Sequence, residues 1–136
     1  MITYQITVEY LGTNFVGWQF QKNGLSIQEV LESALSRYLK ENIRVIGSGR
    51  TDSGVHASEQ SAHFKTKNKI NDMGIFLNAV NFFLKKHPVS ILNIQKRSNN
   101  FHARHSAKER VYKYFVINRT SSLAIDKNKA CLLYTS

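Results

Sequence analysis

The chain opens with a period of two. Ile2, Tyr4, Ile6, Val8 and Tyr10 alternate with polar or small residues, which predicts a β-strand with one buried face. Leu11-Gly12-Thr13-Asn14 breaks that pattern. Ser26 and Glu29 then stand at capping-box spacing, and Ile27, Val30, Leu31, Ala34, Leu35, Tyr38 and Leu39 recur at helical intervals, predicting a helix over 27–40. The β-branched stretch Ile43–Ile46 predicts a short strand. Gly47–Ala57 carries three glycines and reads as irregular. Alternation returns over 59–64, with Gln60, Ala62 and Phe64 on one side. Asn71 or Asp72 can cap a second helix over 73–86, its buried side made by Ile75, Ala79, Val80, Phe83 and Leu84. Lys85 and Lys86 suit its C-terminal dipole, Pro88 ends it, and Val89–Ile94 is an apolar strand. This β-α-β-β-α-β order predicts an α+β, ferredoxin-like unit: an antiparallel four-stranded sheet with two helices on one face and the other face open to a ligand. A further strand over Lys108–Ile117 lies beyond that unit.

Composition agrees with a folded chain. Its 136 residues fit a one-domain length, and 42% hydrophobic content supplies a core. No apolar run is long enough to span a bilayer, and the N-terminus lacks the features of a secretory signal. A single Cys forms no internal disulfide, which points to a reducing compartment, the cytoplasm. The charge changes the picture. The net value is +10, and it is uneven: residues 1–68 hold seven basic and six acidic residues, and 69–136 hold twelve and three. A field of that sign and asymmetry draws polyanions, with nucleic acid the natural partner.

The densest candidate chemistry is Gly47-Ser48-Gly49-Arg50-Thr51-Asp52-Ser53-Gly54-Val55-His56-Ala57. If the segment around Thr51 is extended, Arg50 and Asp52 point to one side. A guanidinium near a carboxylate favours the ionised form that a nucleophile needs. Taken alone, such a loop is more often a surface turn with a local ion pair. Two other clusters accompany it. Phe15-Val16-Gly17-Trp18-Gln19-Phe20-Gln21 sets Gln19 and Gln21 beside aromatics, as a base-reading segment would, or is simply an apolar staple between strand and helix. Phe101-His102-Ala103-Arg104, followed by Arg110-Val111-Tyr112-Lys113-Tyr114, interleaves aromatics and cations as base stacking and phosphate contact require, or forms an amphipathic edge strand. The pairs His56/His63 and His102/His105 have no acidic or thiolate partner at metal-ligand spacing. No P-loop, RNP1 motif or nucleophile elbow is present.

Three segments together carry a family resemblance. They are Phe15-Val16-Gly17-Trp18-Gln19 with Ser26-Ile27-Gln28-Glu29, the Gly49–Ala57 loop, and Phe101-His102-Ala103-Arg104 through Tyr114. In this order they resemble the tRNA pseudouridine synthases of the TruA type, over roughly residues 2–120. The resemblance implies an isomerase that converts uridine to pseudouridine in the anticodon stem-loop of tRNA, with no cofactor and no metal. Asp52 falls on the family's catalytic aspartate, Arg50 on the arginine that helps extrude the base, and Tyr112 on the tyrosine that stacks on the uracil. Gln19, Gln21, His56, Arg104, Arg110 and Lys113 are the expected RNA contacts. The resemblance also implies a homodimer about twice as long per subunit, whose second α/β half supplies an arginine opposite Asp52. The expected division is therefore an N-terminal ferredoxin-like domain at 1–105 and the start of a truncated second half at 106–130. Residues 131–136 can be encoded by TGTCTCTTATACACATCT, a sequencing-adapter sequence, and are expected to be a tail derived from it. Two other classes remain open: a non-catalytic ferredoxin-like RNA-binding module, and a hydrolase with Asp52 as nucleophile, for which no second carboxylate is suitably spaced.

Overall fold

A computed structural model describes residues 1–104 and the backbone of the short pairs 113–114 and 133–134. The elements are β1 (Ile2–Tyr10), α1 (Ile27–Leu39), β2 (Ile46–Gly47), β3 (Ala57–Thr66), α2 (Met73–Leu84), β4 (Val89–Arg97), β5 (Lys113–Tyr114) and β6 (Leu133–Tyr134). The first four strands form one sheet in the order β2-β3-β1-β4, with every neighbouring pair antiparallel. With the two helices it makes the expected α+β ferredoxin-like unit. β1 is central: it pairs with β3 from Ile2↔Thr66 to Tyr10↔Ala57 and with β4 from Thr3↔Arg97 to Tyr10↔Val89. β5 pairs with β6 antiparallel. The rest of the strand expected over Lys108–Ile117 lies outside the described residues. Among the described residues no helix is long and apolar enough to cross a membrane.

The period-2 pattern of β1 does what it predicts. Tyr4, Ile6, Val8 and Tyr10 are buried, and they meet Leu31 and Leu35 of α1 and Phe76, Val80 and Leu84 of α2 in one core. Ser26 caps α1, its Oγ accepting the Glu29 N–H at 3.1 Å. Asp72, not Asn71, caps α2 through Oδ1 on the Ile75 N–H at 3.0 Å.

Two expectations need correction. The buried stripe of α2 is Phe76, Val80 and Leu84, whereas Ile75 is 61% exposed. Consecutive apolar residues at 75–77 leave the helical phase open in sequence. The choice falls on Phe76 because its ring stacks on Phe64 (6.5 Å) and meets Tyr38 edge-on (5.4 Å). The second strand is also shorter and later than Ile43–Ile46. Ile43 and Val45 are buried, but their backbone bonds go to side chains of α1: Ile43 N–H to Ser36 Oγ, Val45 N–H to Glu32 Oε2, and Gln28 Nε2 to the Val45 carbonyl. A helix satisfies the groups that a neighbouring strand would otherwise pair.

Candidate active site: the Asp52 loop and its clamp

The loop joining β2 to β3 holds Arg50 and Asp52, both exposed. Its shape is imposed from outside. The segment after β1 crosses it, and Trp18 N–H donates to the Thr51 carbonyl at 3.0 Å. Ser53 Oγ donates to the Phe15 carbonyl at 3.1 Å, and Gly54 N–H reaches the same carbonyl at 3.4 Å. The hydroxyls of Tyr10 and Thr51 lie 2.8 Å apart. On the far side the loop closes on itself, Val55 N–H donating to the Asp52 carbonyl at 3.1 Å. Its first residues are tied to β3: Ser48 N–H donates to the Ser61 carbonyl and Gln60 Nε2 to the Gly49 carbonyl.

Such close crossing requires glycine. Gly17 has φ +116°, and a Cβ there would stand 2.6 Å from the Thr51 carbonyl oxygen and 3.2 Å from the Asp52 carbonyl carbon. A Cβ at Gly12 would meet the Val55 carbonyl oxygen at 2.0 Å. The two segments thus lie backbone to backbone, with Phe15 and Trp18 buried beneath them and the Trp18 ring 6.1 Å from that of Tyr10.

This geometry sorts the residues singled out in the sequence. Asp52 and Arg50 share the clamped loop, but no salt bridge joins them among the described residues, so neither the ion pair of a surface turn nor the expected guanidinium beside the carboxylate is seen. His56 is buried, its Nδ1 accepting the Gly12 N–H at 2.8 Å, and it also lines a groove beside the loop. Gln19 and Gln21 are exposed, and Gln21 Nε2 donates to the Val16 carbonyl at 3.1 Å. Arg104 is half-buried at the end of a segment lying on the open face of the sheet. Arg110 and Tyr112 lie outside the described residues, as does the side chain of Lys113, whose backbone belongs to β5. Sequence reasoning missed Tyr10 and Gln60 as loop holders. The only available signal was a hydroxyl or amide ending a strand beside a Gly-rich break. A groove of about 390 Å³ next to the loop is lined by Glu9, Tyr10, His56, Ser58, His87 and Ser90 among others, but not by Arg50 or Asp52.

The site is thus an exposed carboxylate on a loop fixed from both sides, inside a ferredoxin-like unit. A family profile described as tRNA pseudouridine synthase matches residues 6–106, and the chain belongs to that family. Among curated proteins, it is 52% identical over 129 residues to tRNA pseudouridine synthase A of Pelagibacter ubique (strain HTCC1062), covering 95% of this chain and 52% of that protein. It is 46% identical over 133 residues to the protein of that name from Ehrlichia ruminantium (strain Gardel), covering 97% and 54%. The corresponding protein of Ehrlichia canis (strain Jake) is 48% identical over 131 residues, covering 96% and 53%. The chain therefore spans about half the length of the curated relatives it matches.

Proposed function

We propose that this chain forms the aspartate-bearing part of a cytoplasmic tRNA pseudouridine synthase that isomerises uridine in the anticodon stem-loop. The observation that carries the proposal is the clamped loop itself. Hydrogen bonds from Trp18, Tyr10 and Ser53 hold the peptides around Asp52 while its carboxylate stays open to a substrate. Pre-organisation of this kind is what a reaction at a single sugar carbon demands. In the reaction, the C1′–N1 bond of the uridine breaks, the uracil turns, C5 bonds to C1′ and gives up its proton, and the freed N1 takes up a proton, so that the product is an isomer of the substrate. Asp52 acts as nucleophile or base in that sequence. Arg50, two residues away on the same loop, helps hold the nucleotide out of its stack, a step any enzyme must take to reach a base inside paired RNA. Tyr112 stacks on the uracil. His56 holds the Gly12 backbone beside the loop and lines the adjoining groove, where it can meet RNA. No cofactor or metal enters this scheme.

A protein of the relatives' full length would add the opposing wall of the cleft and an arginine facing Asp52, and would work as a homodimer. The 136-residue chain alone is accordingly expected to bind RNA weakly, in a salt-sensitive way, and not to turn over. The test is tritium release from C5-labelled uridine in tRNA, with the chain and with a version extended to the relatives' length. The extended protein should release tritium, and its Asp52→Asn variant should bind tRNA yet release none. Near-normal turnover by Asp52→Asn would remove Asp52 from the chemistry. RNA binding without release by the extended wild type would favour a non-catalytic RNA-binding module.

A further inference from the structure

The open face of the sheet is partly covered by the chain's own segment. His63 projects from β3 on the side opposite Ala62 and Phe64, across from Gln5 of β1 and Ile46 of β2. It is only 2% exposed, and what buries it is the stretch after β4. Ala103, equally buried, donates its backbone N–H to His63 Nδ1 at 2.9 Å. The Phe101 ring meets the imidazole edge-on at 6.0 Å, and the His102 ring does so at 4.7 Å. His102 Nδ1 in turn accepts the Arg104 N–H at 3.2 Å. On β4, Arg97 lies over Phe101 at 5.4 Å and donates through Nε to Gln5 Oε1 at 2.7 Å, closing the platform beneath the segment.

We propose that His63 is a positioning residue for RNA recognition: as a neutral imidazole it pins Phe101–Arg104 onto the open sheet face and thereby fixes where Arg104 is presented. This rests on the reading of the chain as part of a tRNA-modifying enzyme. A ring nitrogen that accepts the Ala103 N–H is unprotonated, and in the imidazolium both nitrogens are donors, so protonation breaks the pin. The surroundings favour the neutral form. Burial, then the neighbouring His102, then Lys65 on the same strand push the His63 imidazole down to about 4. The other charged groups near the platform are the guanidinium of Arg97 on β4 and Arg104 on the segment itself, while β1 and β2 oppose His63 with uncharged Gln5 and Ile46. His63 reaches no RNA; it acts through the backbone of Ala103.

The experiment uses the chain extended to the relatives' length, labelled with ¹⁵N. The Ala103 amide should shift as His63 titrates on acidification and should not do so in His63→Asn, whose Oδ1 replaces Nδ1 as acceptor without titrating. In steady-state assays near neutral pH, His63→Ala should raise KM for tRNA about tenfold with kcat within about twofold, and His63→Asn should restore KM to about the wild-type value. A fall in kcat at unchanged KM, an Asn variant no better than Ala, or an Ala103 amide that titrates identically in His63→Asn would overturn the proposal. Should His63→Ala fail to fold, the two Ala103 titrations decide alone. An extended wild type that is inactive on tRNA would overturn the functional reading and the RNA role together, while the Ala103 titration still reports whether the pin exists.

Discussion

Replacing Gly17 by Ala tests whether the Phe15–Trp18 segment holds the Asp52 loop. Two penalties add. At φ +116° an L-residue sits in a region that strains the backbone by about 1–3 kcal/mol. The new Cβ would also stand 2.6 Å from the Thr51 carbonyl oxygen, and because that atom is backbone, the strands of the crossing must separate. Separation lengthens the Trp18 N–H to Thr51 carbonyl bond, now 3.0 Å, and forfeits roughly 0.5–1.5 kcal/mol. Together the loss is about 2–4 kcal/mol, which for a domain of this size lowers Tm by roughly 8–20 °C. Gly54→Ala is the internal control. Gly54 also has positive φ (+81°), but a Cβ there meets nothing within 4 Å, so only the conformational penalty of about 1–2 kcal/mol applies. Chemical denaturation of the two variants measures the difference. In the extended protein, Gly17→Ala should also reduce kcat by about 10–100-fold, since the displaced atoms include the Asp52 carbonyl carbon, 3.2 Å from the added Cβ, and small misplacements of a reacting group carry penalties of that order. A Gly17→Ala protein within about 0.5 kcal/mol of wild type, or one less damaged than Gly54→Ala, would refute the clamp.

Three further outcomes are expected. In the extended protein, Tyr112→Phe should bind tRNA normally but turn over slowly, and Tyr112→Ala should lose both; equal turnover for Phe and wild type would limit Tyr112 to stacking. The pH dependence of stability follows from His63. Its folded value of about 4 lies below the ordinary 6.5, so the unfolded chain binds the proton more readily. Stability contributed by the neutral imidazole should be complete above about 6.5 and lost as pH falls toward 4, and urea midpoints of His63→Asn should not show that loss. Lys40 ends α1 in the left-handed conformation (φ 56°), so Lys40→Gly should stabilise the chain by about 0.5–1 kcal/mol, measured as a higher denaturation midpoint.

Much of the fold was legible because local rules carried it. The alternation of Ile2–Tyr10 needs only a single buried face to make β1, and Ser26 with the apolar stripe after it needs only a helical period to make α1. The Arg50–Asp52 loop was legible as a motif, and Gly17 and Gly54 as punctuation within two of the segments that marked the family. The phase of α2 was not legible, because Ile75 and Phe76 are equally apolar and only the rings of Phe64 and Tyr38 choose between them. Nor could a linear pattern show that the Ile43–Val45 backbone is satisfied by Ser36, Glu32 and Gln28 instead of by a strand. The same distinction governs the site. Residue types and their order marked Asp52 as the candidate reacting group, through the resemblance that the three segments carry together. That His56 accepts the Gly12 N–H, that Tyr10 grips Thr51 and that His63 holds Ala103 are contacts between residues about 40 positions apart, and only the packed sheet brings such pairs together.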